Sequence, residues 1–364
     1  MSFVIRHQDI PTGIGAPGWD AFVQTVEARN AAQAAAFGDA ASYTPEELIL
    51  NWTDANEPKR LLVAEVDGRI VARAFVEWHP EGNDGLAFLA VEVHPDFQHR
   101  GIGRALADAL EPIAIELGRT TLQSYVGHPD DGAPPRLPSP TGFGSVPANE
   151  RSVRFLLASG WELGQVERGS RLELPVDPDD LASRIAAAHA TSGPAYRIHR
   201  WVGRTPERFI NDLAMLMTRM GTDAPSGDLE DDTDEWTPER LREREDAEEG
   251  WPRTALHIAV EHIESGHLVG FTDLEVPIDT TRPIDQGDTI VISEHRGHGL
   301  GMLLKLEGLA LVAEAAPNHP FIVTFNAEEN RHMLKTNEAV GFRPFIVEGG
   351  WKKVLGEPGP TPAV

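Results

Sequence analysis

The sequence predicts an α/β protein made of two tandem domains that share one pattern. Three observations predict it. A chain of 364 residues, 41% hydrophobic and 24% charged, is long enough for two ordinary cores. One order of strand-like and helix-like runs occurs twice. Each occurrence also places a glycine-spaced string between a β-branched run and an apolar helical run, with matching landmarks at matching distances. The predicted division is 1–175 and 195–364, with 176–194 connecting them.

The elements follow in order. Arg60–Trp78 is two β-rich runs around Asp67-Gly68, a hairpin signal, and Thr254–Val276 has the same form around Ser265-Gly266. Gly68 lies 30 residues before Gln98, and Gly266 lies 30 before Arg296. Those two residues open the strings QHRGIG and RGHGLG. Apolar residues at three- and four-residue spacing then predict helices over Ile102–Leu117 and Leu300–Ala315. Asn149–Trp161 and Asn330–Phe342 read as helices opened by an Asn cap and closed by a glycine 11 residues on. The first copy is 17 residues longer between its glycine string and that closing glycine, through the Gly- and Pro-rich loop Gly127–Ala148. In the second copy a helix over about Pro206–Met220 precedes an acidic run. Val176–Pro194 reads as the connection, with a short helix inside.

A glycine-rich turn between strand and helix is suited to an anionic phosphate group, because free backbone N–H groups and a helix N-terminus converge there. A dinucleotide-binding turn needs a third glycine where Leu106 and Leu304 stand, and a Walker loop needs Lys followed by Ser or Thr. Neither copy has these. The remaining pattern is a strand, then Gln/Arg-x-x-Gly-x-Gly, then a helix. With its flanking hairpin, long strand and Asn-headed helix ending in Gly-aromatic, it resembles the pyrophosphate loop of the GNAT superfamily of acyl-CoA-dependent N-acyltransferases. The resemblance covers nearly the whole chain as two copies. It is similar in layout to the actinobacterial double-domain acetyltransferases related to mycothiol synthase.

The resemblance implies two GNAT-like domains, each a mixed, mostly antiparallel sheet flanked by helices. It implies that Gln98, His99, Arg100, Gly101, Ile102, Gly103 and Arg104 cradle the pyrophosphate of acetyl-CoA in the first copy. Arg296, Gly297, His298, Gly299, Leu300, Gly301 and Met302 match them in the second. Val93 and Val291, the latter with Ile292, would offer backbone N–H groups to the thioester, and Asn149 and Asn330 would lie beside the pantetheine arm, or serve as plain helix caps. The tyrosine that often protonates the leaving thiolate is replaced by Leu156 and Asn337; Asn337 can hydrogen-bond sulfur but cannot act as an acid. An amine must lose a proton before it attacks. The base position of some members is Ala87 in the first copy and Asp285 in the second, with Asp288 a rival, although PIDQGDT also reads as a solvated turn. Glu77, Glu92 and Glu275 are weaker rivals. These comparisons favour chemistry in the second copy.

Composition bounds the partners. A net charge of −25 argues against nucleic acid as a partner. No apolar run reaches the roughly 18–20 residues of a membrane span, and the N-terminus lacks secretory features, so a cytoplasmic protein without a membrane partner is expected. With no cysteine, disulfides and thiolate chemistry are excluded. The 14 histidines form no metal motif, so no metal is expected. Asp223–Glu249 carries thirteen acids against three arginines and reads as an acidic loop leading to a helix capped by Thr237, suited to attract a cationic acceptor or simply solvated. The expectation is transfer of acetyl from acetyl-CoA to a primary amine of a small molecule by direct attack, in a monomer or homodimer. The alternatives are an acyl-CoA-binding module without turnover, a larger acyl group, or a protein amine.

Overall fold

A computed structural model describes residues 2–355 apart from 81, 84, 131, 224 and 232–234. The chain divides into two compact units, one of Met1–Glu167, Ser226–Asp234 and Ile346–Val364, the other of Arg168–Pro225 and Glu235–Phe345. Among the described residues no helix is long and apolar enough to cross a membrane.

The first unit runs β1 (Val4–Gln8), α1 (Trp19–Phe37), α2 (Pro45–Trp52), β2 (Lys59–Val66), β3 (Arg69–Glu77), β4 (Leu86–Val93), α3 (Ile102–Glu116) and β5 (Thr121–His128). After these come β6 (Arg136–Pro138), β7 (Ser145–Pro147), α4 (Arg151–Ala158) and the start of β8 (Glu162–Glu173). The β2–β3 hairpin turns where expected, with Asp67 and Gly68 both at positive φ. Strands β1 to β4 pair antiparallel, whereas β4 and β5 are parallel. One face packs α1 and α2 through Phe22, Val26 and Trp52, with Trp52 edge-on to Phe75 at 5.1 Å. The other packs α3 and α4 through Ile102, Leu106, Leu110 and Val153.

The second unit continues with α5 (Pro178–Ser192), β9 (Tyr196–Val202), α6 (Ile210–Asp223), α7 (Pro238–Ala247), β10 (Arg253–His262), β11 (His267–Pro277) and β12 (Ile284–Val291). It ends with α8 (Leu300–Ala315), β13 (Phe321–Ala327), α9 (Arg331–Val340) and the start of β14 (Arg343–Val354). Strands β9 to β12 are antiparallel, and β12–β13 is the parallel pair. Helix α6 packs one face through Phe209, Leu213 and Leu216 against Ala259, Phe271 and Ile290. Helices α5 and α8 pack the other through Leu181, Leu303 and Leu304 against Ile258, Leu274 and Ile284.

Several local readings change. The stretch Gly127–Ala148 is not wholly loop: it holds the β6–β7 hairpin, which Arg136 clasps through Asp130 and Ser145. The helix within Val176–Pro194 is not short, since α5 has 15 residues and Asp177 caps it. Asn330 caps α9 as expected, but Glu150 rather than Asn149 caps α4, accepting from the N–H groups of Ser152 and Val153. Thr237 caps α7 as read.

The acidic run divides between the units. Asp228–Glu230 joins the first unit, where Leu229 packs against the bare backbones of Gly164 and Gly350. Lys352 donates to the Asp228 carbonyl, and Gln123 to that of Glu230. The last strand also belongs here, for Val347–Val354 pairs with Thr121–His128 of β5. Buried Trp351 donates its indole N–H to His128 Nε2 at 3.4 Å, which leaves the proton on Nδ1 to face Ser152 and Glu150. Burial alone would raise the Glu150 carboxyl; the bonds from His128, Ser152 and Val153 instead hold it at about 2.

Candidate active site

Each parallel pair opens almost at once. Strand β4 meets β5 only at Leu86–Phe88, and β12 meets β13 only at Ile284 and Asp285. The N–H of Ile292 donates to Val269 at 3.0 Å, so antiparallel alternation turns the N–H and C=O of Val291 to the open side. His94 donating to Val71 at 3.0 Å does the same for Val93. The carbonyls are then taken by the first residue of each glycine string: Gln98 Nε2 donates to Val93 and Arg296 Nε to Val291, both at 2.9 Å. The two valine N–H groups are left facing a cleft that an extended amide chain would fill like a missing strand.

Below each cleft the glycine string forms the turn from strand to helix, called the cradle after the anion-binding role expected of it. His99 and Gly101, and correspondingly Gly297 and Gly299, take positive φ. Gly101 and Gly299 sit at the N-caps of α3 and α8 without a side-chain cap, so the first helical N–H groups stay available to a ligand. Glycine is favoured at 299 on two counts: its φ is +69°, and a Cβ there would stand 3.2 Å from the Thr191 methyl of α5, which would have to give way. In the first cradle Arg104 lies over Phe155 at 5.1 Å, and Arg151 donates to Gln98. Beside the second, Tyr196 and His295 Nδ1 are 3.0 Å apart, and burial with the nearby charge of His262 lowers the His295 pKa.

The two clefts differ in one strand. Pairing of β3 with β4 is regular from Ala72–Val93 to Glu77–Phe88. Pairing of β11 with β12 shifts between Thr272 and Leu274, so β12 carries an extra residue at Gly287–Asp288. Thr272 Oγ1 donates to the Asp288 carbonyl at 2.8 Å, and Gln286 Nε2 donates to the Asp273 carbonyl at 2.8 Å. The bulge sets Asp288 beside Asp273. Burial, then the charges of Asp288 and Glu275, hold the Asp273 carboxyl well above the usual range, and its Oδ1 has no partner among the described residues. Asp288 is reachable by solvent, yet the surrounding protein raises its pKa as well. A carboxylate with raised affinity for a proton at a cleft suits a general base.

The other candidates are committed elsewhere. Asp285 pairs with the buried guanidinium of Arg253, which also meets Glu275 at 3.7 Å. Glu92 is bound by Arg73, Arg29 and Gln33; burial opposes its charge, but those partners lower its pKa and hold it ionised. Glu77 pairs with Lys59 at 2.7 Å, and Ala87 and Leu156 are core residues. Asn337 is buried; its amide donates to Asn326, and its Oδ1 lacks a partner among the described residues. Nothing brings Asn149 to the cleft beyond its place before α4. On α7, Glu245 and Glu248 face Arg242 and Arg244, and Asp246 faces Arg204. Among the described residues no cluster of His, Cys, Asp or Glu could hold a metal.

Sequence reading missed Asp273 and Lys305. A glycine inside a strand, Gly287, was the available signal for the bulge. A lysine within the apolar run GMLLKLEGLALV was the signal for a buried amine.

Comparison with known proteins agrees with this geometry. Residues 25–135 match the model of the Acetyltransferase (GNAT) family. Mycothiol acetyltransferase of Mycolicibacterium smegmatis is 25% identical over 297 residues, 80% of this chain and 83% of that protein. Among solved structures, a tandem GNAT protein from the clavulanic acid biosynthesis pathway superposes with a TM-score of 0.72 at 22% identity, covering 98% of this chain and 99% of that one. A GCN5-related N-acetyltransferase from Sphaerobacter thermophilus gives 0.59 at 16% identity over 97% and 95%. The chain thus carries a match to the GNAT acetyltransferase family at residues 25–135, and over nearly its whole length it has the fold of a tandem GNAT protein.

Proposed function

We propose that the chain transfers acetyl from acetyl-CoA to a primary amine of a small molecule, and that the second unit does so. The bulge at Gly287–Asp288 carries this reading, since it sets a raised-pKa carboxylate at the open edge of β12. The regular β4 has no counterpart, and Glu92 is held by cations. In this reading Gly297–Gly301 bind the pyrophosphate, the β12 edge aligns pantetheine, and Asp288 takes the proton of the incoming ammonium. The amine nitrogen then forms its bond to the thioester carbon, the Val291 N–H stabilises the oxyanion, and the carbon–sulfur bond breaks as the nitrogen sheds its second proton to solvent and CoA leaves as the thiolate, which solvent protonates. No cysteine exists to act as a covalent relay. The carboxylates of Asp285 and Asp288 at this cleft favour a cationic acceptor. Mycothiol acetyltransferase is named for acetyl transfer, which supports acetyl as the group moved. The test is amine-dependent release of CoA from acetyl-CoA across a panel of aminosugars and diamines. Release that no amine accelerates, with CoA still bound, overturns the reading.

A further inference from the structure

One row of side chains crosses the second sheet on the face that packs α6, and the fold does not require its chemistry. Trp201 of β9, His257 of β10 and Asp273 of β11 stand opposite one another in register. His257 and Asp273 alternate with Ile258 and Leu274, which pack with α8, so the row shares the α6 face with Ala259 and Phe271. Asp273 reaches the bulge. Its Oδ2 lies 2.5 Å from where a Cβ on Gly287 would stand, and the backbone N–H of Asp288 faces its carboxyl. Trp201 Nε1, His257 Nδ1 and Asp273 Oδ1 are closed to solvent, and none has a hydrogen-bond partner among the described residues. Orphaned polar atoms of this kind cost stability.

The twin hairpin of the first unit manages without them. Leu61 and Phe75 pair there at the matching register, and the same strand irregularity follows, at Ala64/Glu65 as at Val260/Glu261. They pack with Phe22 and Trp52 as plain core. In the second unit His257 is instead held by its stack on Trp201, with ring centres 5.2 Å apart and planes 18° apart. Cross-strand neighbours on one face stand about 5 Å apart at Cβ, a gap that one bridging water or a turn of either side chain closes with a hydrogen bond. His257 is half-buried with Nδ1 closed off, which leaves Nε2 as its outward nitrogen. The charged groups around the row are Asp288 and Glu275 beside Asp273, and Glu245 of α7 beside His257.

We propose that His257, acting through Asp273, relays to solvent the proton that Asp288 takes from the acceptor ammonium, a role resting on the transferase reading above. Asp288 is reachable by solvent in the open cleft. A donor along β12 and an acceptor beside it cover that approach, so the proton leaves from behind. It moves from Asp288 to the Asp273 carboxyl, which gives its own proton to His257 Nδ1, directly or across a water, as Nε2 releases one outward. One proton enters the row, one leaves, and Asp288 is again a carboxylate. Burial pushes the imidazole down to about 4, so the ring passes the proton on instead of keeping it. The first unit, with Leu61 and Phe75 at these positions, has no such route.

The test uses the full-length protein with His257→Phe, which keeps a ring against Trp201, and His257→Ala, which leaves room for a small buffer molecule. Amine-dependent CoA release should fall on the order of tenfold in kcat in both, with KM for acetyl-CoA unchanged. Added imidazole should restore turnover in His257→Ala and have no effect on His257→Phe or wild type. Thermal unfolding and calorimetric CoA binding report whether the variants fold. Wild-type kcat in folded variants, or a loss in His257→Ala that imidazole leaves untouched, overturns the relay. The nitrogen-15 spectrum of the imidazoles gives a readout independent of turnover, with His257 assigned by its absence from His257→Phe. At neutral pH the wild-type ring should carry its proton on Nε2 and accept a hydrogen bond at Nδ1, and Asp273→Ala should shift the Nδ1 resonance. A resonance that Asp273→Ala does not move also overturns the relay. If that shift is seen but no amine releases CoA from the wild-type protein, the row stands and the transferase reading fails.

Discussion

Replacing Gly287 by alanine probes the bulge without touching a charge. Gly287 is not at positive φ, so alanine is acceptable to the backbone. Its Cβ, however, would stand 2.5 Å from Asp273 Oδ2, 2.9 Å from Cγ and 3.0 Å from Oδ1. Relief to ordinary contact requires the carboxylate to withdraw by roughly 1 Å. Overpacking of that size costs about 1–3 kcal/mol, or a fall of roughly 2–9 °C in Tm at the entropy of a 150–250-residue unit. Displacement of a group paired with the base by about 1 Å lowers turnover on the order of a hundredfold. Thermal unfolding and amine-dependent CoA release measure the two effects. In an Asp273→Ala background the clash is gone, so adding Gly287→Ala should cost almost nothing in stability. A penalty of the same size in both backgrounds would refute the steric account, as would full turnover in the single variant.

Further outcomes follow from the same geometry. Asp288→Asn should lower kcat about a hundredfold while leaving acetyl-CoA affinity intact, measured by initial rates and calorimetry. Arg253→Met should destabilise the protein by about 3 kcal/mol in denaturant unfolding, because it removes the buried cation that Asp285 and Glu275 share. Glu348 lies on β14 in the first unit, where burial and then the charge of Glu167 push its carboxyl up to about 8. A raised folded-state pKa means that the unfolded chain releases its proton first, so this group costs stability progressively from about pH 4.5 to 8. Glu348→Gln should therefore gain Tm over wild type as pH rises, by several degrees at pH 9 and by almost nothing at pH 4; differential scanning calorimetry decides it. Trp351→Phe, which removes the bond to His128, should cost about 2 kcal/mol and loosen β14 in hydrogen exchange.

Much of the fold was legible because it rests on local signals. Asp67-Gly68 dictates a tight hairpin, the glycine strings dictate strand-to-helix turns, and apolar spacing dictated α8 to the residue. The glycine turns were legible for the same reason, being contiguous in sequence. What the sequence hid were contacts between distant segments. Asp273 gains its meaning from Asp288 across a strand pair, and only the extra residue at Gly287 brings them together. Glu150 displaced Asn149 as a cap because His128 and Ser152 converge on its carboxylate, a contact 22 residues away in the chain for His128. Asp285 held the position that the family resemblance marks, yet the buried cation of Arg253 claims it. The helices α1 and α2 escaped notice because α1 is alanine-rich, with no clear apolar stripe to mark it.

The central claim is that the second cleft does the chemistry, and blocking each cradle in turn tests it most directly. Valine at Gly299 must adopt a left-handed backbone and meets Thr191 at 3.2 Å; valine at Gly101 must adopt the same backbone at φ +82°. Amine-dependent CoA release is measured for both variants under saturating amine. The account predicts that Gly299→Val abolishes release and that Gly101→Val retains the wild-type kcat. Loss of release with Gly101→Val and its retention with Gly299→Val would contradict it.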